Sequence, residues 1–87
     1  MNVKELLDKL SLILNEEHHE QLEKYKSLKK VLKSLKLEKE ALEEQLLNAK
    51  DMEEKQDIES RLKIIVAQRK KGRKVFKALK KVRKGKT

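Results

Sequence analysis

The sequence predicts an all-α fold: a long antiparallel helical hairpin, coiled-coil-like, with a short N-terminal helix packed on its open, basic end. Three observations carry that expectation. The 87 residues contain no proline and two glycines, which leaves little of the turn punctuation that many short strands need. The apolar residues are mainly Leu, Ile and Val at three- and four-residue steps, the period of one helix face. Two such runs, read independently, come into register under a single fold-back near residue 50. A chain that is 45% charged and 2% aromatic also has the composition of a disordered one; the helical spacing of its apolar residues is what favours folding. At this length one domain, residues 1–87, with a modest core is expected.

Val3, Leu6, Leu7, Leu10, Ile13 and Leu14 mark a first helix over 3–14, with Asn2 as a plausible N-cap. About three turns long, it is marginal alone and must dock on something. Asn15-Glu16-Glu17 reads as a fresh helix start, its acids favourable near the N-terminal dipole. A break near Leu14 or Asn15 follows, although one unbroken helix from 3 to 49 competes with it.

The second helix is expected over 16–49. Tyr25, Leu32, Lys39 and Leu46 alternate with Leu28, Leu35, Leu42 and Ala49 in a heptad seam that has a lysine in one core slot. Asn48-Ala-Lys-Asp51 is the turn candidate, and Asp51 with Glu54 forms a capping-box-like pair for a third helix over 52–84. Residues 85–87 are expected to fray. In the third helix Ile58, Leu62, Ile65, Gly72, Phe76 and Leu79 continue the seam, with Arg69 filling its one gap.

Folding back sets Leu42 near Ile58, Leu35 near Ile65 and Val66, and Tyr25 near Phe76. Lys39 then faces Leu62, and Leu32 faces Arg69. Snorkelling explains these two cations, with an assisting carboxylate such as Glu38 or Glu59 as the alternative. The third helix is apolar on more than one face, at Ile64-Ile-Val-Ala67 and at Val75, Phe76, Ala78, Leu79 and Val82. A second contact is therefore required. The short first helix, packed on the end holding Tyr25, Phe76 and Leu79, supplies it; a homodimer is the rival. Gly72 marks a kink or a close helix approach, or is merely tolerated.

The net charge of +9 is unevenly placed. Eleven bases and no acid lie from Arg69 onward, against thirteen bases and fifteen acids before it. The fold-back adds Lys24, Lys26, Lys29, Lys30, Lys33 and Lys36 to the same end, whereas 38–59 holds nine acids and three bases. A basic helical stripe is the footprint of a phosphate-backbone binder. Arg69, Lys70, Lys71, Arg73, Lys74, Lys77, Lys80, Lys81, Arg83 and Lys84 are the candidate nucleic-acid-binding residues. The alternative is a solvated face partly neutralised by Glu16, Glu17, Glu20 and Glu23. Base stacking is not expected of a tail with one aromatic. The plan resembles the helical-hairpin arms that bind structured RNA, in architecture alone and without a shared motif.

Other functions find little support. No nucleophile elbow, phosphate-cradling glycine loop or one-faced histidine pair is present, so no catalytic residue, cofactor or small-molecule substrate is inferred. Ser27, Ser34 and Ser60 read as solvent-facing. His18 and His19 point about 100° apart on a helix, so no dedicated metal site is expected. The absence of cysteine removes disulfide and thiolate-metal chemistry. The N-terminus does not read as a signal peptide, and no apolar run approaches a membrane span; a cytoplasmic protein is expected. Binding of the tail to a membrane surface is disfavoured, because its apolar residues are wanted by the core. The expectation is a non-enzymatic RNA- or ribosome-associated binding module using its basic end on an RNA or DNA phosphate backbone. The alternative is a protein interaction or oligomerisation module built on the coiled-coil seam.

Overall fold

The computed structural model describes residues 2–85, with side chains through Arg83. These residues form four helices: α1 Val3–Leu14, α2 His18–Glu23, α3 Tyr25–Asn48 and α4 Met52–Gly85. No strand occurs among the described residues. The radius of gyration is 15.0 Å and the extents are 53 × 20 × 19 Å. A compact chain of this length would have a radius of about 12 Å, so the molecule is a rod. Its long axis matches α4, whose 34 residues extend about 51 Å at 1.5 Å per residue.

The Asn2 side chain accepts from the Glu5 N–H at 2.9 Å and caps α1 as its spacing predicts. Leu6, Leu10 and Ile13 are buried. Each such burial contributes about 1.5–3 kcal/mol, which holds a three-turn helix that is marginal alone. The break falls where expected, but Asn15 does not start the next helix. It is the C-cap of α1: its N–H donates to the Ser11 carbonyl at 3.1 Å, and the following Glu16 N–H donates to the Ile13 carbonyl at 3.2 Å. Glu17 precedes α2 and makes no side-chain cap bond. The carbonyls at the end of α1 explain the difference. Buried Gln21 donates from Nε2 to Ile13 O at 3.1 Å and to Leu14 O at 3.3 Å, tying the end of α1 to α2.

The helix expected over 16–49 is two helices. Lys24 separates α2 from α3 with φ −97° and ψ 16°, yet Leu28 N–H still donates to Lys24 O at 2.8 Å. The chain bends here without losing its hydrogen-bonded continuity. The bend lets Gln21 reach back to α1 while Tyr25 enters the α3 seam. Along α3, Leu28, Val31, Leu32, Leu35 and Leu42 are buried. Ala49 closes the helix in extended conformation and is itself buried. Asp51 Oδ1 then accepts from Glu54 N–H at 2.7 Å, one half of the expected capping box.

The long helices α3 and α4 pack against each other, and α1 packs on both. Ile58, Ile65 and Leu79 of α4 join the leucines of α3 and α1 in one core. Tyr25 stacks on Phe76 at 4.7 Å between ring centroids, and Arg69 reaches the carbonyl of Leu32. A Cβ built on Gly72 would lie 2.7 Å from Leu32 Cδ2 and 3.1 Å from Leu10 Cδ1. Gly72 is therefore a point of close approach of α1, α3 and α4; α4 runs through it unbroken.

Two packing expectations are corrected. The first helix was expected on the end holding Tyr25, Phe76 and Leu79. Its first two turns instead share a surface depression with Leu42 and Arg61, and Leu10 sits at Gly72. The missing side chain at Gly72 is what lets α1 lie along the middle of the pair. Val66, expected beside Leu35, is 47% exposed, and Ile64 is 53% exposed. Only Ile65 of that apolar run is buried; it faces the seam, and its neighbours along the helix point away from it.

Candidate nucleic-acid interface

Five of the candidate cations, Arg69, Lys70, Arg73, Lys74 and Lys77, share one stripe of α4 at helical spacing. With Val66 they line an open groove of about 450 Å³, and Lys39 of α3 enters from the facing helix. No carboxylate lines it. Lys39 was not among the candidates. Its position in a core slot of the seam was the signal, and snorkelling was enough to explain it.

Arg69 and Lys39 are both half-buried. The Arg69 Nε–H donates to Leu32 O at 3.4 Å, a long bond that still fixes the near edge of the guanidinium. Neither cation has a carboxylate within ion-pair distance among the described residues, so the assisting Glu38 or Glu59 is not found. Among the described residues the ion pairs are Lys24 with Glu16 and Arg61 with Asp57, and the His19 ring nitrogens lie 3.6 Å from Glu17 and 3.9 Å from Glu20. Of the four acids expected to neutralise the basic end, Glu16 alone pairs with a lysine. The Glu16 side chain holds the Lys24 ammonium above the ordinary lysine range chiefly by hydrogen bonding; burial opposes this, and the charges of Glu16, Glu20 and Glu23 add to it.

The remaining candidates are not brought into the groove. Lys71, Lys80 and Lys81 are exposed and do not line it. Arg83 is engaged otherwise, its guanidinium carbon 4.2 Å from the centroid of the Tyr25 ring. Seven residues, about 10 Å of α4, separate Arg83 from Phe76, which leaves room for the Tyr25 ring between them. Both aromatic residues of the chain are thus engaged internally. The Lys84 side chain lies outside the described residues, as does the fraying expected of 86–87; Gly85 closes α4.

Ligand atoms of Glu17, His19 and Glu20 lie within 4.8 Å of one another on the surface of α2 and its N-cap. These are exposed or half-exposed groups without a buried donor, and His18 takes no part. No described helix is long and apolar enough to cross a membrane. Comparison with protein-family models, with curated proteins and with solved structures finds no match for this chain.

Proposed function

We propose that the chain is a non-enzymatic nucleic-acid-binding module, RNA- or ribosome-associated, that grips phosphate backbone with the basic end of an antiparallel helical hairpin. The hairpin reading is supported by contacts whose residue numbers fall along α3 as they rise along α4, Leu32 with Arg69 and Tyr25 with Phe76. The observation that carries the functional reading is the groove between these helices, with six cations from two elements and no acid. Unpaired cations held on folded helices attract phosphates and release their condensed counterions, which is the dominant source of non-specific affinity. Tyr25 and Phe76 are occupied by each other and by Arg83. Backbone contacts therefore dominate, without the aromatic platform of single-strand binders.

The interaction-module reading draws less support. Its seam, Leu28, Leu35 and Leu42, is buried within the chain, so a partner using it would have to displace α4. The test is the salt dependence of binding to a fluorescein-labelled RNA or DNA duplex. Replacing Lys70, Arg73, Lys74 and Lys77 by glutamine should flatten the log–log slope by about 3.6. An unchanged slope would remove the groove from the account.

A further inference from the structure

We infer that the groove holds a discrete phosphate site, centred on Arg69 of α4 and Lys39 of α3, and is not a uniform band of charge. This deepens the proposed function and rests on it for the source of the phosphate, a nucleic-acid backbone. The argument begins with an oddity of the seam. Arg69 and Lys39 occupy the two positions where an apolar residue would continue the core pattern, one on each helix. Placing cations there sacrifices burial, and no carboxylate compensates either of them. Independent snorkelling would let the two heads leave by separate routes. They instead line the same groove, with Arg73 one turn beyond Arg69.

Arg69 also differs from its neighbours in being tethered. With Nε–H directed to Leu32 O, the outer amino groups are left for a ligand, in the planar fork that matches two oxygens of a phosphate. Lys39 supplies a point charge from the opposite wall. The other groove cations, Lys70, Arg73, Lys74 and Lys77, are exposed side chains that extend the site along the backbone. Arg69 and Lys39 are then binding residues, and Leu32 O positions one of them.

The decisive experiment compares two double variants of equal charge change, by anisotropy of a labelled 16-base-pair RNA duplex at fixed salt. K39L/R69L restores the apolar seam and should raise the melting temperature while weakening binding at least ten-fold more than K71Q/K81Q. Equal losses would overturn the discrete site and leave the nucleic-acid reading intact. R69K, which keeps the charge but loses the fork, should weaken binding about five-fold; wild-type affinity in R69K would also overturn the site, and this variant serves if the double variant fails to fold. If wild type binds no duplex even at low salt, the nucleic-acid reading fails. Pyrophosphate titrated against the Arg69 Nε–H NMR signal then decides the site alone. A saturable shift supports a site for free phosphate, and no shift overturns it.

Discussion

The two ends of the rod are built differently. The end around the turn, residues 38–59, carries nine acids and three bases, and its described core consists of Leu42, Ala49 and Ile58 with partly buried Leu46. Farther along, α1 and α2 join α3 and α4, and Leu10, Leu28, Leu35, Ile65 and Leu79 are fully buried. Positive charge is thus concentrated on the thicker region. Clustered like charges repel, and holding them on one helix face requires packing strong enough to oppose that repulsion. The acidic end presents no such cluster of cations, and α1 reaches it at Leu42. Structural support and candidate function coincide in the same part of the molecule.

Truncating the core should break the two ends unequally. Leu10→Ala, at the crossing of α1 with Gly72 and Leu32, should cost about 2–5 kcal/mol in chemical denaturation. Leu46→Ala, in the thin region, should cost clearly less. Equal costs would remove the distinction. Gln21→Ala should cost about 1–3 kcal/mol, since Leu14 O loses the side-chain donor and Ile13 O keeps the Glu16 N–H alone; hydrogen exchange should show α1 loosening before α3. Gly72→Ala sets a helix-propensity gain of about 1 kcal/mol against overpacking of about 1–3 kcal/mol, at a Cβ position 2.7 Å from Leu32 Cδ2. A net loss of stability is expected, opposite in sign to the gain from an exposed helical glycine.

The smallest effect is the pH dependence of the Lys24–Glu16 pair. Because the folded state raises the Lys24 pKa, this contribution is full below the ordinary lysine value and is lost as pH rises through the folded one. Melting temperature followed from about pH 9.5 to about pH 11.5 should decline slightly more for wild type than for Lys24→Gln. Parallel curves would show that this exposed pair adds nothing to stability.

The sequence made the helices legible because periodicity is a property of residue order. Leu28, Leu35, Leu42, Ile58, Ile65 and Leu79 could be placed in the core from their spacing, and Asn2 and Asp51 from capping chemistry. The exact role of Asn15 was not legible, since the same residue suits an N-cap or a C-cap and a distant glutamine decides between them. The bend at Lys24 has no proline or glycine to announce it. Of the candidate site, the stripe on α4 was readable, but the convergence of Lys39 with Arg69 was not. That convergence depends on how two helices rotate against each other, which the spacing of either one alone does not determine.

The central claim, that the basic end grips phosphate backbone, is tested most directly by one salt titration of wild-type binding to a labelled duplex. With about five phosphate contacts, affinity should fall on the order of 10²–10³-fold between roughly 50 and 200 mM salt. Weak binding that is already flat at low salt would contradict it.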